Sequence, residues 1–114
     1  MAVYTKEELS GSTDGRMIKV VQTATAGTTV HTAHATATDE IWLWAVNSTT
    51  GDLKLTIEYG GVASPDDLIE YTVPAEDGLH LILPGLILTN SLVVKAFAGT
   101  ANVVLVGGYV NRAT

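Results

Sequence analysis

Valine, isoleucine and threonine fill about three in ten of the 114 positions, and that bias constrains the fold more than any motif in the chain. β-Branched side chains lose rotamer freedom in a helix and fit a pleated sheet. No stretch of ten or more residues repeats its apolar positions every 3.6 residues, so the crossover helices that a parallel sheet requires are missing. The sheets are therefore expected to be antiparallel. Apolar segments recur about every ten residues between Gly, Pro, Asn and Asp breakers, the spacing of an all-β sandwich or barrel. The reading is an antiparallel β-sandwich, jelly-roll-like, of about eight strands.

Those strands are read at Arg16–Thr23, Thr28–Thr36, Glu40–Asn47, Leu53–Tyr59, Leu68–Val73, Leu79–Leu83, Leu92–Phe97 and Val103–Val110. The clearest is Leu53–Tyr59, where Leu53, Leu55, Ile57 and Tyr59 point inward and Lys54, Thr56 and Glu58 outward. Glu40–Asn47 is apolar on both faces, so it belongs at the centre of a sheet or has its outer face covered. Asn47–Asp52 and Gly99–Asn102 are read as hairpin loops, Pro84-Gly85 as the stop of a strand, and Asp66 as the start of a single helical turn at most. Gly107-Gly108 inside a strand signals a bulge or a close backbone approach. Ile41, Trp42, Leu43, Trp44, Leu55, Ile57, Leu81, Leu83, Val94, Leu105 and Tyr109 are expected to be mostly buried.

Two regions follow: residues 1–15, polar and closing on Ser10-Gly11-Ser12-Thr13-Asp14-Gly15, read as an N-terminal arm, and 16–114 as the sandwich domain. Fully extended, fifteen residues reach about 50 Å, enough to grip a neighbouring subunit. The arm lacks the basic start and apolar middle of a secretory leader. The longest apolar runs, Ile41–Val46 and Val103–Gly108, fall far short of the roughly 20 residues of a membrane span.

The charge balance narrows the partners. Six Lys+Arg against twelve Asp+Glu give a formal net charge of −6, which repels a phosphate backbone. Cysteine is absent, removing disulfides and thiolate metal sites. Hydrophobic residues make up 46% and charged ones 16%, so either the core is rich or apolar surface meets a partner.

Residue chemistry offers little catalysis. His31 and His34, three apart in a strand, point to opposite faces and do not converge on one ion. The acidic pairs Glu7-Glu8, Asp39-Glu40, Asp66-Asp67 and Glu76-Asp77 sit at turns or strand ends. No serine occupies a nucleophile elbow, and no glycine run has phosphate-loop spacing. The sequon Asn47-Ser48-Thr49 reads as a turn. Neither catalytic residues, metal nor cofactor are expected. Trp42 and Trp44 share one strand face, a geometry suited to a core, a subunit interface or a sugar platform.

Three segments carry a resemblance: Leu9–Arg16 leading into an apolar strand, Leu55–Gly61 running to Pro65-Asp66-Asp67, and Gly107-Gly108-Tyr109-Val110-Asn111. Together the pattern resembles small all-β virion proteins of tailed bacteriophages, of the capsid decoration (cement) type. The resemblance implies a non-enzymatic protein on the capsid surface, present in the host cytoplasm during assembly. Its partners would be the major capsid protein and other copies of itself, with no nucleic acid, membrane or small-molecule substrate. The expected interface is Val3, Tyr4, Leu9 and Arg16, and the oligomer or core face Trp42, Trp44, Val104 and Val106. A carbohydrate-binding or host-recognition module, or a tail, neck or head-fibre component, is the alternative.

Overall fold

Period-two patterning organises the whole chain in the computed structural model, which describes residues 3–114; Met1 and Ala2 of the expected arm lie outside these. Nine strands form, with no helix among the described residues. They are β1 Tyr4–Glu8, β2 Ile18–Lys19, β3 Thr28–Thr32, β4 Thr38–Asn47, β5 Leu53–Tyr59, β6 Leu68–Val73, β7 His80–Leu88, β8 Val93–Ala98 and β9 Val104–Ala113. One sheet has the order β1-β9-β4-β7, with β2 also paired to β9; the other runs β3-β8-β5-β6. All strand pairs are antiparallel.

The connectivity is that of a rolled hairpin. β5 pairs β6, β4 pairs β7, β3 pairs β8 and β2 pairs β9, so partners recede symmetrically from the loop between Tyr59 and Leu68. Rolling that ladder places β4 beside β9 and β5 beside β8, which closes the two layers of a jelly roll, with β1 added to β9 as a fifth strand in one of them. Asn47–Asp52 and Gly99–Asn102 therefore pass between sheets, and the hairpins expected there do not form. Among the described residues, the one hairpin between consecutive strands of one sheet is β5–β6.

Pro84-Gly85 does not end its strand. β7 is an edge strand, where a residue without an N–H is tolerated, and the register slips on both sides of the Trp42–Pro84 and Leu43–Leu83 pairs. Gly85 takes φ +81°, a conformation open to glycine. Asp66 starts no helix; a turn closes there through Asp67 N–H to Ala63 C=O at 2.9 Å.

The N-terminal segment does not stand away from the sandwich. β1 runs along β9 from Tyr4↔Ala113 to Glu8↔Tyr109, Leu9 is fully buried, and Gly11 N–H meets Val30 C=O at 2.9 Å. Unpaired main-chain groups on β9 are satisfied by this strand without any apolar alternation in it.

Between the sheets lie Leu9, Val20, Val30, Ile41, Leu43, Leu55, Ile57, Val73, Leu83, Val94, Val104, Val106 and Val110. Burial departs from the expected list where the pleat demands it. Ile41 and Leu43 point in, so Trp42 and Trp44 point out and are half-buried, as are Leu105 and Tyr109, while Leu81 is exposed. Thr56 and Glu58 do face outward but are buried. The Glu58 carboxylate accepts hydrogen bonds from Thr25 Oγ1 at 2.8 Å and Gly27 N–H at 2.7 Å, which holds a loop over it.

The Tyr59 hydroxyl is buried with no hydrogen-bond partner among the described residues, and burial pushes its pKa up to about 12. Tyr59→Phe should stabilise the fold by about 1 kcal/mol, because it removes an unpaired polar group without altering the ring. Urea denaturation checks this; a lower midpoint would show that the hydroxyl is satisfied in solution.

Candidate functional site

The outer face of the β1-β9-β4-β7 sheet carries an aromatic cluster. Trp42 and Trp44 from β4 and Tyr109 from β9 place their ring centroids 6.1 to 6.4 Å apart, with planes 16 to 28° from parallel. Alternation puts all three on one side, and β4 and β9 are adjacent inner strands, so the cluster sits at mid-sheet. The Trp42 indole N–H donates to Glu40 Oε1 at 2.7 Å, and Asn111 Nδ2 donates to the same oxygen at 3.2 Å. These bonds hold the Glu40 carboxyl below the usual range, against a smaller opposing effect of burial. Lys6 Nζ lies 4.8 Å over the Tyr109 ring, a cation–π contact from β1.

Apolar side chains also lie beside this cluster. Gly107 lets the Met17 thioether lie against the sheet, and Gly85 leaves room for the Trp42 indole. Tyr4, Leu81 and Ile87 remain exposed on the flanking strands, Tyr4 at 75% and Ile87 at 61%. This face sets three aromatic anchors among exposed apolar side chains, with Glu40 and Lys6 as the charged groups that touch the rings.

A second constellation lies inside and joins the N-terminal segment to the body. His31 from β3 and Asp39 from β4 are both buried, with His31 Nε2 2.8 Å from Asp39 Oδ2. Ser10 N–H donates to His31 Nδ1 at 3.0 Å, so Nδ1 is bare and the ring proton sits on Nε2, donated to Asp39. Arg112 clamps the same carboxylate through Nε at 2.7 Å and a terminal nitrogen at 3.1 Å, and also lies 3.9 Å from Glu7. Burial alone would raise the Asp39 pKa; the bonds from Arg112, His31 and His34 N–H, with the Arg112 charge, outweigh it and hold the value at about 2. The Arg112 guanidinium is raised in turn, chiefly by its bond to Asp39.

Serine, histidine and aspartate meet here without catalytic wiring. Ser10 offers its backbone N–H to the imidazole, while its hydroxyl accepts from Thr32 N–H at 2.7 Å. The arrangement is a pin that fixes the start of the chain across both sheets.

The expected site residues separate accordingly. Val3 and Tyr4 are exposed at the β1 edge, and Arg16 is exposed in a turn. Leu9, expected at an interface, belongs to the core, because its chain position carries it under the sandwich next to the Ser10–His31 pin. Trp42 and Trp44 lie on the outer face and Val104 and Val106 on the inner one, so this group of four does not form one surface. Tyr109, Lys6, Glu40 and Met17 join the outer face; the alternation of β9 could have signalled Tyr109. Asn47 is buried, and its Nδ2 donates to Gly51 C=O at 2.8 Å and Val73 C=O at 3.0 Å, so the sequon nitrogen serves the turn. No family model, curated protein or solved structure matches the chain.

Proposed function

We propose that the protein is a non-enzymatic virion structural protein of a tailed bacteriophage. In this reading it decorates the outer surface of the capsid shell and docks through the aromatic face of the β1-β9-β4-β7 sheet. The observation that carries the reading is that face: Trp42, Trp44 and Tyr109 are only half-buried by their own chain, and Tyr4, Leu81 and Ile87 are exposed on the same side of the sheet. Aromatic anchors at the centre of an apolar patch are what protein interfaces spend most of their affinity on. The jelly roll is an architecture used by capsid and lectin domains alike, so the fold supports the class by analogy and the site must supply the rest. Net charge −6 suits a protein outside a shell that packages DNA.

Carbohydrate recognition is the competing reading, favoured by the same three rings. The rings lean on one another and Tyr109 has Lys6 over its face, which leaves less open ring surface for a sugar. Trp44→Glu tests the choice. The variant should keep its far-ultraviolet circular dichroism and lose attachment to purified particles by more than about tenfold, since truncating an interface hot spot costs about 2 kcal/mol. Unchanged occupancy on particles would overturn docking through this face. A saturable change of tryptophan fluorescence on glycan titration would favour the sugar reading.

A further inference from the structure

The described residues contain four sheet edges, and three of them are guarded. β1 presents Lys6, Glu7 and Glu8, with the two-residue β2 beside it. β7 carries Pro84 and two register slips. β3 is covered by the N-terminal segment, through Gly11 N–H to Val30 C=O and Thr32 N–H to the Ser10 hydroxyl. The fourth edge, β6, is not covered by another segment and carries one charged side chain, Glu70, which Lys54 of β5 pairs. Leu68–Val73 pairs β5 over six residues with no slip, proline or glycine.

The phase of that ladder shows which groups are unused. Tyr59 N–H bonds Asp67 C=O at 2.7 Å, so residues 67, 69, 71 and 73 face β5 with their main-chain groups. Glu70 and Thr72 consequently aim theirs away from the sheet, as does Leu68, whose N–H is taken by Pro65 C=O at 3.2 Å. Asp66 and Asp67 stand at one end of the strand, Glu76 and Asp77 beyond the other, and Glu70 in the middle, where Lys54 of β5 is its ion-pair partner.

We propose that the β6 edge accepts an extended, basic segment of a partner protein as an added antiparallel strand, independently of the aromatic face. The main-chain groups of Glu70 and Thr72 supply affinity, and the flanking carboxylates select lysine or arginine in the incoming chain. A second copy of this chain fits poorly. Two β6 strands centred on Glu70 set the two carboxylates opposite each other and bring the acidic flanks of both copies to one seam.

The probe is a fluorescent peptide of alternating lysine and valine, added to the intact protein, with a glutamate–valine peptide as its counterpart. The lysine peptide should bind and slow amide exchange at Glu70 and Thr72, and the glutamate peptide should not. Thr72→Pro removes one outward donor without touching the β5 ladder; it should weaken binding about fivefold to tenfold, with the melting temperature as the check on folding. Because that variant can disturb the strand for other reasons, Glu70→Lys is the second: it should weaken the lysine peptide and leave the fold intact. Equal binding of both peptides, or protection at residues other than Glu70 and Thr72, would overturn the proposal. So would protection of those amides by self-association without peptide. None of these outcomes bears on Trp44, so this edge and the aromatic face stand or fall separately.

Discussion

Asp39→Ala is expected to remove about 3 to 5 kcal/mol of folding stability, the range found when one partner of a buried ion pair is deleted. Asp39 receives His31, both Arg112 contacts and His34 N–H, at 2.7 to 3.2 Å. Without it the guanidinium keeps, among the described residues, only Glu7 at 3.9 Å, and His31 Nε2–H loses its acceptor in a buried site. Against a typical stability of about 5 to 15 kcal/mol, this is a large share. Urea unfolding followed by intrinsic fluorescence measures it, and a loss below about 1 kcal/mol would show that the network contributes little. The acid limb gives an independent readout. The Asp39 pKa lies at about 2, below the ordinary 3.8. Its contribution is therefore full above about pH 4 and fades as pH falls through 2. Asp39→Ala should lack that component of the acid slope.

Gly108→Ala is expected to cost about 3 kcal/mol or more and to lower the melting temperature by at least about 10 °C. A Cβ at Gly108 would overlap the Trp42 carbonyl oxygen, with the Trp42 carbonyl carbon at 2.8 Å and the Leu43 Cα at 3.1 Å. These are backbone atoms of the adjacent strand, which cannot yield without opening the β4–β9 ladder at the middle of the sheet. Gly51→Ala is the control, since nothing lies within 4 Å of its Cβ position. Equal melting of the two variants would show that β4 and β9 are not in close approach at Gly108.

The close approach at Gly107-Gly108 was legible in the sequence because glycine inside a strand has few other uses. Leu53–Tyr59 and Leu68–Val73 were legible to the residue, since turn-forming residues bracket them and β5 alternates cleanly on its inner face. β1 was not: Tyr4–Glu8 has no apolar side, and its place is set by main-chain bonds to β9 and by Arg112. The buried-residue list mixed both faces of β4 and β9, although a strict period of two forbids neighbours such as Ile41 and Trp42 from sharing a core. The Asp39 network was invisible for another reason. His31 and Asp39 belong to different sheets, and Arg112 follows Asp39 by 73 positions, so only the rolled topology brings them together.

That topology also dictates an order of assembly. The β5–β6 hairpin closes locally, whereas Ile18 must find Val106 and Tyr4 must find Ala113. Each outward step of the ladder closes a longer loop, so pairing is expected to zip from the Gly60–Asp67 loop toward the chain ends, slowly for a domain of this size. β9 is latest in the chain yet inner in its sheet, flanked by β4 on one side and β1 and β2 on the other. Until it arrives, the tryptophan-bearing strand has β7 as its only neighbour in that sheet. A nascent chain is thus most prone to stick to others until β9 emerges, and the pairing of β9 with β4 ends that hazard.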